Sequence, residues 1–241
     1  MSTSLPLTIT INGVPTGREE VRAWELKRAR RVAHKLGVDP VGSLAEVSER
    51  LITRKLELGQ RGIEQLLARD LRLSAPVTRL TAALAGGRRT ACMILISGAA
   101  GHAEDLPDWY ARAITAGDER PLLAACPDHY LSRTNPNGLQ EVIETTGGAP
   151  LPVRMLFDDG DTATITTPAD PAYPTQWVSV ARTHSGIALG GVRHQFRDNP
   201  GGGFDARLTV EFPLTTLPYM VAAHRWHLAC EFSNWIEMVN A

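Results

Sequence analysis

An excess of one charge is the first thing missing from this sequence. Twenty-five Lys and Arg stand against 26 Asp and Glu, a formal net charge of −1, so it lacks the basic face of a general nucleic-acid binder. Long apolar runs are missing too. None approaches the roughly 18 residues that a membrane span needs. The opening MSTSLPLTITINGVPTG has neither the basic start nor the apolar stretch of a signal peptide. Cysteine is scarce: Cys92, Cys126 and Cys230 are odd in number and far apart, which excludes a disulfide framework and a CxxC zinc pattern. Reduced thiols in the cytoplasm are the expectation. Repeats and low-complexity segments are also absent. What remains is 241 residues with a hydrophobic fraction of 43%, enough for a real core in one large domain or two small ones.

The chain changes character near its middle. REEVRAWELKRARRVAHKLG reads as a helix with Gly37 placed as its C-cap. Ser43 with Glu46 three residues on is a capping-box pattern opening a second helical stretch, which Gly59 and Gly62 are placed to break. A short helix around 75–84, a buried strand over 90–98 and a helix over 106–116 follow. Beyond about residue 120 the text turns to strands: QEVIET, LPVRMLF, TQWVSVARTH, GIALGGVRHQF and FDARLTVEF, separated by GGAP, DDGD, HSG and NPGGG. In the last of these, Phe204, Ala206, Leu208, Val210 and Phe212 share one face. A long helix over about 217–239 closes the chain. The expectation is an α+β protein: a mainly helical region over 1–118, then an antiparallel sheet with a long C-terminal helix lying across it over 119–241.

The residues that carry chemistry cluster in the second half. On MVAAHRWHLACEFSNWIEM, His224, His227 and Glu231 fall within about a 60° arc, on the stripe that also holds Val221, Leu228 and Trp235. A buried carboxylate costs several kcal/mol unless it is paired or metal-bound. His227 and Glu231, at i and i+4, can reach one metal ion, although HxxxE alone is a weak motif. His129 lies in an apolar stretch just upstream of the first of these strands. Glu141 and Glu144 are on opposite faces of QEVIET, so one of them at most looks inward, and His194 shares parity with Val192 and Phe196. Trp177, Phe196, Trp235 and Phe157 are candidate cavity walls. KRARR at 27–31 and GRR at 87–89 are balanced by neighbouring acids, and His102, Glu104 and Asp105 read as a polar surface loop.

HQFRDNPGGGFDARLTVEF (194–212), EVIETTGG (141–148) and HLACEF (227–232) resemble the 2,4-diacetylphloroglucinol hydrolase and phloretin hydrolase family over roughly the last 120 residues. The resemblance implies a helix-grip (Bet v 1-like) catalytic domain and a zinc ion held by His129, Glu144, His227 and Glu231. It implies a substrate-contacting His194 and hydrolysis of the carbon–carbon bond between an acyl group and a phenolic ring. The family also places tyrosines near the substrate. Tyr130 is the candidate beside His129, with Tyr110 and Tyr219 as substitutes. The expected partner is a small aromatic or polyketide-like substrate, with no nucleic acid and no membrane, and a homo-oligomer left open. Two other classes fit the same cavity: a non-hydrolytic cyclase or lyase, and a ligand carrier without catalysis.

Overall fold

The structure is a computed structural model that describes residues 7–240. Its first element is a hairpin ahead of the expected helices. β1 (Thr8–Ile11) and β2 (Val14–Thr16) form a hairpin, turned by Asn12 and Gly13 with φ of 54° and 77°. Asn-Gly between apolar residues is a strong hairpin signal because both central positions need positive φ.

α1 (Arg18–Leu36) ends on Gly37 in the left-handed region, as expected. α2 (Leu44–Leu66) starts on Ser43, whose hydroxyl accepts from the Glu46 amide while the Glu46 carboxylate accepts from the Ser43 amide. It breaks at Gly59. α3 (Ala68–Ala85) is a turn and more longer than the sequence pattern suggested. β3 (Arg89–Ala99), α4 (Asp105–Ala116) and α5 (Glu119–Ala124) follow. The second half supplies β4 (His129–Thr134), β5 (Gln140–Glu144), β6 (Val153–Asp158), β7 (Thr175–Arg182), β8 (Ala188–Asp198), β9 (Phe204–Pro213) and α6 (Pro218–Val239).

All nine strands among the described residues belong to one antiparallel sheet in the order β2-β1-β3-β9-β8-β7-β6-β5-β4. β3 and the first hairpin extend the sheet beyond β9, so it runs across the 118/119 division drawn from the sequence. His129 lies within strand β4, not upstream of the sheet. α6 mixes apolar and polar residues round its circumference, and much of it is buried. Leu228, Phe232 and Trp235 meet Ile94, Ile96, Phe196 and Leu208 in the main core, where each large apolar side chain contributes about 1.5–3 kcal/mol. Its opposite side meets α1: Arg18 donates to Glu237 at 2.8 Å and Asn234 donates to Glu25 at 3.0 Å. α1 and α2 pack on β4 and β5 through Val32, Leu36, Leu51, Tyr130 and Ile143. α3 lies over β6, β8 and β9. Among the described residues, no helix is long and apolar enough to cross a membrane.

Candidate metal centre

Four donor-bearing side chains from three elements meet between the sheet and α6. β4 supplies His129, β5 supplies Glu144, and α6 supplies His227 and Glu231 one turn apart. His129 Nε2 and His227 Nε2 are 3.1 Å apart. His129 Nε2 is 3.5 Å from Glu144 Oε2 and 3.5 Å from Glu231 Oε1. His227 Nε2 is 3.9 Å from Glu144 Oε2 and 4.0 Å from Glu231 Oε2. All four residues are buried or nearly so.

The tautomer of His129 follows from its other nitrogen. Nδ1 lies 3.0 Å from the Leu122 carbonyl oxygen; a carbonyl only accepts, so Nδ1 carries the hydrogen and Nε2 of the neutral ring presents a lone pair. Burial pushes the His129 imidazole down to about 4 and the His227 imidazole well below its ordinary range, so both rings are neutral. Burial pushes Glu144 up to about 7. It pushes Glu231 well above its usual range, with the Glu144 carboxylate adding to the effect. Buried acceptors crowded in this way need a cation or protons between them.

Cys126 completes a buried Cys126/His129/His227 group that could bind a metal ion, with ligand atoms within 4.8 Å of one another. Its Sγ lies 3.7 Å from His227 Nδ1, the nitrogen turned away from the carboxylates. Burial raises its thiol to about 11. The sequence signal for Cys126 is its C-x-x-H spacing to His129, which the expected ligand set left out.

The loop Cys126–His129 is gripped from the N-terminal helices. Arg28 of α1 donates to both Asp128 carboxylate oxygens at 2.8 and 2.6 Å, and Asp128 is fully buried. The buried Lys55 of α2 donates to the Pro127 carbonyl at 2.9 Å. After β5, Gly147 (φ 53°) lies so close to α6 that a Cβ there would meet the Met220 carbonyl and the His224 side chain. Glu144 is thereby seated against the helix that carries its partners.

The donors line one end of a cavity of ≈ 270 Å³. Its walls include Tyr110, Trp177, Phe232 and Trp235, with Tyr110 and Trp177 rings 4.2 Å apart. His194 and His224 also line it and are 3% and 5% exposed. Neither Nδ1 has a hydrogen-bond partner among the described residues. Burial lowers both rings to about 3, helped by His224 acting on His194 and by His129 acting on His224. His224 stacks on His227 with ring centroids 4.8 Å apart.

Three candidates from the sequence lie elsewhere. Tyr130, expected beside the site, is on the other face of β4, packed against α1 and α2 and accepting from Thr145 Oγ1 at 3.5 Å. Consecutive strand residues point to opposite faces, so the neighbour of an inward His points outward. Tyr110 is the tyrosine that reaches the cavity, and Gln140 donates to its oxygen. Phe196 packs on Phe204 in the main core and is not a cavity wall. Of the two β5 carboxylates, Glu144 faces the cavity, while Glu141 is held away from it by Arg133 at 2.6 Å and His184 at 3.1 Å. Phe157, Trp177 and Trp235 do line the cavity.

No protein-family model matches the chain, and no curated protein matches it.

Proposed function

We propose that the chain is a zinc-dependent hydrolase that cleaves the carbon–carbon bond between an acyl group and a phenolic ring. The catalytic fold would be helix-grip (Bet v 1-like), as the resemblance to the 2,4-diacetylphloroglucinol and phloretin hydrolases implies. The observation that carries this reading is the convergence of His129 Nε2, His227 Nε2, Glu144 and Glu231, 3.1 to 4.0 Å apart, at the end of an aromatic cavity. Zinc–nitrogen and zinc–oxygen bonds of about 2.0–2.1 Å in tetrahedral geometry separate the donors by about 3.3 Å. The lone pair of His129 and the two buried carboxylates suit that ion. Cys126 meets the far nitrogen of His227, so its role is to orient the ring.

Bound there, zinc supplies a Lewis acid that polarises a carbonyl and lowers the pKa of a water toward about 7. The chain's own side chains do the rest. His194 stays neutral at physiological pH and can direct a ring N–H at the oxygen of the acyl group, where charge develops. Trp177, Phe232 and Trp235 present apolar faces to an aromatic ring. Tyr110 accepts from Gln140 and keeps its own hydrogen to donate to a phenolic oxygen. Burial and the Glu144 carboxylate raise the Glu231 carboxyl well above its usual range, so a cation held there would compete with a proton for it.

The test is product analysis. Zinc-loaded protein incubated with acylated phenols should release the free carboxylic acid and the deacylated phenol. Failure to release acid from any of them, or release that is unchanged after chelation, overturns the proposal.

A further inference from the structure

The cavity changes chemistry along its length. Beyond the histidines and carboxylates, its lining carries no free charge. Met155 and Phe157 of β6 cluster there with Leu189 of β8, Ala181 of β7 and Ala82 of α3, and Val77 and Thr81 of α3 and Leu217 ahead of α6 also line the cavity. One more carboxylate, Glu211, touches it; its Oε1 accepts from the Thr166 amide at 2.8 Å and the Thr167 hydroxyl at 2.6 Å, and its Oε2 lies 4.0 Å from Arg89 Nε, which pairs its charge. Met155 and Leu189 are buried at 8% and 7%, whereas Val77 and Leu217 at the rim are 62% and 54% exposed. A buried apolar passage therefore runs out to an apolar rim in water. Leu73, Leu80 and Leu84 continue that rim along α3, within about a 60° arc of Val77. Contiguous apolar surface rimming a cavity marks a place where something apolar binds.

The inner end asks for the opposite chemistry. Ser179 Oγ, His194 Nδ1 and His224 Nδ1 line it or lie against it, are at least nine-tenths buried, and have no partner among the described residues. A buried polar group without a partner costs about 1–3 kcal/mol, a cost that a hydrogen-bonding ligand removes.

We propose that the cavity takes an amphipathic small molecule head-inward, with an unbranched hydrocarbon chain lying along Met155, Phe157 and Leu189 and leaving between Val77 and Leu217. The substrate class is thus a long-chain acyl compound with a hydroxyl- or carbonyl-bearing head. This rests on reading the cavity as the substrate site, but chain binding itself needs neither metal nor bond cleavage.

Calorimetry with 4-hydroxyphenyl alkyl ketones, from acetyl to octanoyl, tests it on the full chain with and without chelator. Each added methylene should lower Kd about fourfold at one ligand per chain, the equivalent of about 0.8 kcal/mol, until the chain reaches the rim. In the double variant Val77→Asp with Leu217→Asp, both at exposed positions, the acetyl compound should bind as before and the gain for the longest chains should vanish. A Kd that stays flat along the series, or a gain that survives in the double variant, overturns the proposal. A chain-length gradient without acid release keeps the tail site and removes the hydrolase reading. Acid release with a flat gradient does the reverse.

Discussion

Replacing Arg28 with Met tests how the N-terminal helices hold the site. Asp128 is fully buried, and both its carboxylate oxygens accept from Arg28, at 2.8 and 2.6 Å. Its main-chain carbonyl accepts from the Thr145 amide at 3.2 Å, so loop and strand move together. Removing one partner of a buried ion pair leaves an uncompensated charge and costs about 3–5 kcal/mol. For a protein of this size that is a large share of roughly 5–15 kcal/mol, and a fall in Tm of roughly 6–20 °C. Urea unfolding reads the loss as a lower midpoint at constant slope. The double variant Arg28→Met with Asp128→Leu, which buries no charge, should recover much of the loss. The clamped loop also carries Cys126 and His129, so metal affinity should fall about 10–100-fold in the folded single variant, as for supports behind metal ligands. A loss under about 1 kcal/mol, or a double variant as unstable as the sum of the singles, would refute the clamp.

Three further substitutions probe other parts of the account. Burial raises Glu25 to about 7 against Arg18 and Asn234. A raised carboxyl contributes stability that is fully present below its unfolded pKa and is lost as pH rises through the folded one. Glu25→Gln should therefore gain on the wild type by about 3 kcal/mol between pH 4.5 and 8; a constant difference in unfolding free energy across that range contradicts it. His194→Ala should keep its metal and fold but lose about 10²–10³ in turnover; loss of one metal ion per chain would place His194 among the ligands instead. Tyr130→Phe should leave turnover unchanged because, among the described residues, its hydroxyl hydrogen-bonds only to Thr145, whereas a fall as deep as that of His194→Ala would put Tyr130 back in the site.

Elements whose signal is local were legible. Gly37, the Ser43–Glu46 box, the Gly59 break and the β5–β9 strand texts each carry their cause within a few residues. So did the facing of His194 and the shared stripe of His227 and Glu231, which follow from periods of 2 and 3.6. The long-range features were less legible. Strand alternation alone could not say which of Glu141 and Glu144 turns inward; Arg133 and His184 settle it by hydrogen-bonding Glu141 on the other face. Cys126 sits three residues before His129, but it meets His227 only because β4 and α6 pack across about 100 residues of chain. Glu211, polar and mid-strand, is 2% exposed because the 159–174 segment folds over it and donates to its Oε1. The Asn12–Gly13 hairpin, by contrast, has a local cause in TITINGVPT, where both turn positions need positive φ.

Elemental analysis of the purified protein, run beside Glu231→Ala and Glu237→Ala, tests the central claim most directly. Glu231 faces His129 and His227 across the donor cluster, while Glu237 lies on the same helix paired to Arg18. One zinc per chain in the wild type and in Glu237→Ala, with a deep loss in Glu231→Ala, is the predicted result. No transition metal in the wild type, or equal metal in all three proteins, would contradict a metal centre built from His129, Glu144, His227 and Glu231.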